Sequence, residues 1–170
     1  MGTGSSSGRK APAIDGRKRV LDAEFERATK FVMAACGKPL VRIGSTAFGI
    51  WRADSDLDVA IGFGSLEERG RLIKTVLDKG VATPGVKYTK DGNAILRLGL
   101  EGAAVRIDLH VMRLSDVQFI RAGSEQCMAK YTRERHLRWL TDYEDAEKAL
   151  GLGVACKQKV YRHWVPMLTW

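Results

Sequence analysis

Cysteines and long apolar runs are scarce in this sequence, and their scarcity argues against several classes of protein. The three cysteines, Cys36, Cys127 and Cys156, lie far apart and form no Cys-x-x-Cys pair. We therefore expect free thiols in a reducing compartment, with neither a disulfide framework nor a structural zinc site. No apolar run approaches the roughly 20 residues that span a bilayer, and the N-terminus has no apolar signal region. The sequence thus predicts a cytoplasmic protein without a membrane partner.

The formal net charge of +8 is unevenly distributed along the chain. Residues 1–19 hold five basic and one acidic residue, residues 20–112 hold thirteen and twelve, and residues 113–170 hold ten and seven. Half of the excess therefore lies in a Gly/Ser-rich segment without apolar periodicity. We expect residues 1–16 to be a disordered tail or a remnant of cloning. If so, the overall charge gives only limited support to nucleic-acid binding.

Apolar periodicity predicts alternating helices and strands in the first part of the chain. These elements are a helix at 17–36, strands at 40–43 and 57–63, and a helix opened by a capping box at 65–68. Asp91-Gly92 is a strong hairpin signal. Together with Glu101-Gly102, it predicts an antiparallel meander of three strands that ends at Met112.

The pattern becomes helical from Ser115 onward. The tetrapeptides that begin at Ser115 and Thr141 both resemble capping boxes. We therefore predict an α+β fold in which a core at 17–113 has a mixed, mostly antiparallel sheet flanked by helices. A small C-terminal helical segment at 114–170 follows this core.

The most informative feature is a Gly-Ser pair that is followed by two aspartates. Gly44-Ser45 ends one apolar run, and Asp56 and Asp58 stand at the head of the next. Residues i and i+2 of a strand face the same side, so both carboxylates project together and suit Mg²⁺ or Mn²⁺ bound to substrate phosphates. The absent side chain of Gly44 lets a phosphate approach the backbone, where the N–H groups of Ser45 and Thr46 can bind it.

A third carboxylate, Asp108, lies among apolar residues of the later strand at 105–111. If this strand pairs beside the Asp-x-Asp strand, three carboxylates converge as in two-metal sites, whose ions lie ~3.5–4 Å apart. The alternative is a structural salt bridge from Asp108 to Arg97 or Arg106, and Arg106 shares its strand face. His110 shares that face too, and we expect it to be a hydrogen-bonded structural residue.

These residues resemble a known family over about 40–112. Gly44-Ser45, Asp56-x-Asp58 and the later Asp108 look like the nucleotidyltransferase superfamily typified by DNA polymerase β. The segment 44–51, followed by 55–58, is also similar to the poly(A)/uridylyl transferase version of the motif. The resemblance implies a nucleotidyltransferase fold, a nucleoside triphosphate, a divalent metal, and transfer of a nucleoside monophosphate to an acceptor hydroxyl.

The resemblance also implies roles for individual residues. Asp56, Asp58 and Asp108 would be catalytic and would bind Mg²⁺ or Mn²⁺, and Gly44, Ser45 and Thr46 would bind the nucleotide. We favour the 3′ end of RNA as the acceptor, and a small-molecule or protein hydroxyl remains open. The sequence predicts no oligomeric state.

Other interpretations stay open beside this one. A looser resemblance is to small GrpB-like proteins, carried by 44–47, 109–111 and 131–143; that family's activity is poorly defined, so it supports the fold more than a substrate. A glycosyltransferase also uses an Asp-x-Asp pair, although it does not need the preceding Gly-Ser. The short segment after Met112 also fits a catalytically inactive nucleotidyltransferase fold that serves as a binding module.

The C-terminal segment offers two further candidate features. A basic run of Lys130, Arg133, Arg135 and Arg138 is either a solvated helix face or a grip on phosphate or RNA. Its aromatic residues are expected to pack in the protein rather than to stack on a base. These aromatic residues are Trp139, Tyr143, Trp164 and Trp170.

Overall fold

The computed structural model of the chain describes residues 7–79 and 85–168. Its helices are α1 (Ser7–Cys36), α2 (Gly44–Ala47), α3 (Leu66–Asp78), α4 (Leu114–Ala129), α5 (Arg133–Leu150) and α6 (Gly153–Trp164). Its strands are β1 (Val41–Ile43), β2 (Leu57–Phe63), β3 (Lys87–Tyr88), β4 (Ala94–Leu98) and β5 (Ile107–Arg113). Among the described residues, no helix combines the length and apolarity needed to cross a bilayer.

The strands form one mixed sheet in the order β1-β2-β5-β4-β3. β2 and β5 are parallel, while the other three neighbouring pairs are antiparallel. The Asp91-Gly92 turn joins β3 to β4, and the Gly92 N–H donates to the Thr89 carbonyl at 3.1 Å. The predicted α+β class, the hairpin and the three-stranded meander are therefore confirmed.

Helices cover both faces of this sheet. On one face, the alternating residues Leu57, Val59 and Ile61 of β2 are fully buried in a core that α1 and α3 also line. On the other face, Ala60 joins a second buried cluster with Phe48 and with residues of α4 and α6. Because strand side chains alternate, the second face is also the one on which Asp58 and Asp108 lie.

The helix α1 begins at Ser7, well before the predicted start near Arg17. Residues 1–16 were expected to be a disordered tail or a remnant of cloning; residues 7–16 lie in this helix, and residues 1–6 lie outside the described part. The physical reason is tertiary contact, because Ile14 is buried and its carbonyl accepts a hydrogen bond from Trp51 Nε1 at 3.4 Å. Asp15 also pairs with Arg133 of α5 at 3.1 Å.

The α1 helix also holds the loop that leads into β2. The Arg17 guanidinium donates from Nε to the Ser55 carbonyl at 2.9 Å. Inside the loop, the Arg52 N–H donates to Ser55 Oγ at 2.6 Å. These bonds fix the backbone immediately before Asp56, so the N-terminal helix positions one of the predicted site residues.

The helix boundaries follow local capping in two cases. Ser65 Oγ accepts the Glu68 N–H at 3.1 Å, as the capping box predicts, while Glu68 Oε2 accepts the N–H of Gly64, the residue before the cap, at 2.7 Å. The helix α5 is capped by Thr132, whose hydroxyl oxygen accepts the Arg135 N–H. The predicted helix start at Thr141 is wrong, since Thr141 lies inside α5 and donates to the Leu137 carbonyl.

The buried His136 couples the stability of this fold to pH. It is 1% exposed, its ring lies 4.4 Å from that of Trp51, and its Nδ1 hydrogen-bonds the Gly49 carbonyl. Burial lowers the pKa of His136 below its ordinary value of 6.5. Below pH 6.5, His136 is protonated in the unfolded chain before it is protonated in the folded protein. The free energy of unfolding therefore decreases as pH falls below 6.5.

We predict that thermal unfolding will show this dependence. The melting temperature of the wild type should fall between pH 7.5 and pH 5.5 by more than that of His136→Asn, which keeps a donor near Gly49 but cannot take up a proton. A matched control is His163→Asn, because His163 is exposed on α6. Equal pH dependence in wild type and His136→Asn would contradict the prediction.

Candidate active site

A glycine turn at the end of β1 opens the site. Gly44 has φ +64°, a conformation that side chains other than glycine rarely adopt. A Cβ at this position would lie 2.7 Å from Asp58 Oδ2, which is closer than non-bonded atoms approach. Gly44 therefore places the turn directly against the Asp58 carboxylate. The next two residues, Ser45 and Thr46, are buried, with exposures of 7% and 5%.

The three predicted carboxylates lie on one face of two neighbouring strands. Asp58 of β2 stands directly opposite Asp108 of the parallel strand β5. Asp56 precedes β2 by one residue and has the same strand parity as Asp58. His110 lies two residues after Asp108, and its Nε2 is 3.5 Å from Asp58 Oδ1. Its neighbour is therefore one of the site carboxylates.

Two arginines pair with these carboxylates. Arg106 Nη2 lies 3.1 Å from Asp56 Oδ2, and Arg106 Nε lies 3.2 Å from Asp108 Oδ2. Arg97 Nε, from β4, lies 3.5 Å from Asp108 Oδ1. Both salt bridges considered as the structural interpretation of Asp108 are therefore present. Burial of Asp108 at 15% side-chain exposure is compensated by two guanidinium groups.

The donor chemistry of the site fits a hard divalent cation. Asp56, Asp58 and Asp108 offer only carboxylate oxygens, which Mg²⁺ and Mn²⁺ prefer. Within residues 7–79 and 85–168, however, no three His, Cys, Asp or Glu side chains are arranged as a metal site. The Arg106 guanidinium contacts both Asp56 and Asp108, so two of the three carboxylates already have a cationic partner. What fits a divalent cation is the chemistry of the donor set.

Tyr161 of α6 is a neighbour of the site that the sequence did not indicate. Its ring lies 5.1 Å from that of Phe48, just after the glycine turn. Burial raises the pKa of the Tyr161 hydroxyl strongly, and the negative charge of Asp58 raises it further. Tyr161 of α6 and the buried Val165, which directly follows the helix, are four residues apart, a spacing that is a signal of packing. Nothing in the sequence indicates that this side of α6 packs beside Asp58.

The basic run of the C-terminal segment is largely engaged within the chain. Arg133 pairs with Asp15, Arg138 pairs with Glu134, and Arg135 donates to the Cys127 carbonyl. These contacts favour the interpretation of a solvated helix face, although several of the pairs are exposed and could exchange partners.

The aromatic residues of that segment pack within the protein, as expected. The rings of Trp139 and Tyr143 lie 5.1 Å apart, and Tyr143 is buried. Lys130 Nζ lies 5.6 Å from the centre of the Trp164 ring. Trp170 lies outside the described residues.

Comparison with known proteins identifies relatives by fold. No protein-family model matches this sequence, and no curated protein is significantly similar to it. A cytoplasmic RNA terminal U-transferase aligns at a TM-score of 0.57 and 12% identity, over 78% of this chain and 40% of that one. Cid1, described as an RNA terminal uridylyl transferase, aligns at 0.58 and 13%, over 78% of this chain and 40% of its own.

A third solved structure, the GLD-2/RNP-8 complex, aligns at a TM-score of 0.59 and 11% identity, over 77% of this chain and 54% of that one. The chain thus spans between 40% and 54% of the length of these three structures. At these identities the likeness concerns the fold. The chain shares the overall α+β fold of these RNA terminal transferase structures.

Proposed function

We propose that this protein is a metal-dependent nucleotidyltransferase. It would transfer a nucleoside monophosphate from a nucleoside triphosphate to an acceptor hydroxyl and release pyrophosphate. The register of β2 and β5 carries this proposal, because it sets Asp58 opposite Asp108 on the face that Gly44 also borders. The proposal is supported by two similar folds that belong to RNA terminal uridylyl transferases.

Each predicted site residue has a defined task in this reaction. Asp56, Asp58 and Asp108 would hold Mg²⁺ or Mn²⁺, which when bound would neutralise triphosphate charge and lower the pKa of the acceptor hydroxyl. The turn at 44–46 would hold the triphosphate, since Gly44 leaves the backbone open beside Asp58. Phosphoryl transfer requires little covalent chemistry from the protein, so these residues would act mainly by orientation and charge.

The 3′ end of RNA is the acceptor that we favour, in the cytoplasm. The net charge of +8 and the names of the similar structures support this choice. The internal pairing of Arg133 and Arg138 weakens it, because those guanidinium groups already have acidic partners. A small-molecule or protein hydroxyl is therefore kept as the alternative acceptor.

The first prediction concerns the paired aspartates. Asp58→Asn and Asp108→Asn should each lower nucleotide turnover by at least about 100-fold, because each removes a negative ligand from the metal site. The measurement is pyrophosphate release with Mg²⁺ or Mn²⁺ across the four nucleoside triphosphates. Asp78→Asn is the control, since Asp78 is exposed at the end of α3 and pairs with Lys74 one turn earlier. Wild-type turnover in Asp58→Asn would contradict the proposed nucleotidyltransferase activity.

The second prediction separates the backbone role of Gly44 from its place in the site. Gly44→Ala and Gly151→Ala both place a side chain at positive φ, at about 64° and 67°, and should each cost about 1–2 kcal/mol of stability. Only Gly44→Ala brings a Cβ against Asp58, whereas nothing lies within 4 Å of a Cβ at Gly151. Denaturant unfolding should therefore show a loss in Gly44→Ala at least as large as in Gly151→Ala, while pyrophosphate release should fail in Gly44→Ala alone. Equal turnover in both variants would contradict the role of Gly44.

The third prediction tests the acceptor. If RNA phosphates are contacted, binding of a single-stranded RNA oligonucleotide should weaken about tenfold or more between about 50 and 200 mM salt. Fluorescence anisotropy of a labelled oligonucleotide measures this dependence. An affinity that does not change with salt, or no binding in the presence of an unreactive nucleotide analogue, would exclude RNA and favour the alternative acceptors.

A further inference from the structure

The guanidinium of Arg106 occupies the space between two carboxylates of the candidate site. Its Nη2 contacts Asp56 Oδ2 at 3.1 Å, and its Nε contacts Asp108 Oδ2 at 3.2 Å. One edge of a single planar cation thus joins side chains from two neighbouring strands. The second oxygen of Asp108 faces Arg97 at 3.5 Å, so both oxygens of that carboxylate have a cationic neighbour.

These contacts are the ones that a bound divalent cation would have to replace. We propose that Arg106 is a resident counter-cation that competes with the metal and makes metal binding depend on the nucleotide; this inference rests on the proposed function. In the ion-free protein, Arg106 relieves the repulsion between neighbouring carboxylates. A free metal ion must displace it, whereas a metal that arrives with a triphosphate brings an anion that offers the guanidinium a new partner.

The environment of Arg106 suits a group that exchanges partners. Its backbone is fixed, because its carbonyl accepts the Leu57 N–H at 2.9 Å. Its side chain is 48% exposed and the Asp56 side chain is 34% exposed. Ion pairs that are open to solvent contribute little to stability, so the side chain can leave at small cost without disturbing the strand.

The competition also reconciles the two interpretations of Asp108. A carboxylate that serves only in a salt bridge needs one good partner, whereas Asp108 lies opposite Asp58 and shares Arg106 with Asp56. Salt bridge and metal ligand are then two states of the same carboxylate. In the salt-bridge state the Arg106 guanidinium supplies the positive charge beside Asp108. In the metal-ligand state the bound cation supplies it.

The test is the binding of Mn²⁺ alone, without nucleotide, measured by electron paramagnetic resonance or calorimetry. Arg106→Gln should bind Mn²⁺ at least about tenfold more tightly than the wild type, because the competing cation is gone. Arg113→Gln is the matched control, since it removes the same charge from the far end of β5. Arg113→Gln should keep the wild-type affinity.

Thermal unfolding provides an independent readout. The ion-free Arg106→Gln protein should melt at a lower temperature than the wild type, and saturating Mn²⁺ should raise its melting temperature by the larger amount. If Arg106→Gln does not fold, Arg106→Lys replaces it: a compact ammonium group cannot contact both carboxylates in the same planar geometry, so Mn²⁺ should again bind more tightly than in the wild type.

The outcomes separate this inference from the proposed function. Unchanged Mn²⁺ affinity in Arg106→Gln, or an equal gain in Arg113→Gln, overturns the role of Arg106 even if Asp58→Asn abolishes turnover. Conversely, wild-type turnover in Asp58→Asn contradicts the proposed function, whatever the Mn²⁺ affinity of Arg106→Gln. Tighter Mn²⁺ binding in Arg106→Gln alone, with the difference reduced by an unreactive nucleoside triphosphate analogue, supports the competition.

Discussion

The parallel pairing of β2 with β5 is the constraint on which the candidate site depends. These strands are separated in sequence by α3, β3 and β4, yet their register sets Asp58 beside Asp108. A shift of one residue would move Asp108 to the opposite face, into the core that α1 and α3 line. The apolar alternation of β5, with Ile107 and Leu109 fully buried, opposes such a shift. The buried residues of β5 thus fix the face on which Asp108 lies.

The same pairing creates an electrostatic problem, which the chain solves with arginine. Three carboxylates on adjacent strands repel one another, and Asp108 is the most buried of them. Arg97 supplies opposite charge from β4, and Arg106 supplies it from the residue immediately before β5, whose carbonyl is bonded to the Leu57 N–H. Neutral side chains at these positions would avoid the repulsion, whereas carboxylates beside Gly44 supply the oxygen donors that the proposed metal site needs.

The sequence was sufficient where the controlling interactions are local. The capping box at Ser65 and the turn at Asp91-Gly92 depend on neighbouring residues, and both are as predicted. The predicted start of α1 was too late, because Trp51 Nε1 donates a hydrogen bond to the Ile14 carbonyl. This contact joins segments that are distant in sequence. The predicted helix start at Thr141 failed for the opposite reason: the local signal is present, but the helix already begins at Thr132.

The candidate site shows the same division between local and distant causes. The shared face of Asp56 and Asp58 follows from strand geometry alone, whereas the approach of Tyr161 depends on how α6 packs. That packing needs small residues far from the carboxylates. A Cβ at Gly123 of α4 would lie 2.6 Å from the Trp164 carbonyl, and one at Gly62 of β2 would lie 2.7 Å from Leu114 Cδ1. Gly62 lets α4 lie close to the sheet, and Gly123 lets the end of α6 lie close to α4. The environment of Asp58 is therefore determined partly by residues that never touch it.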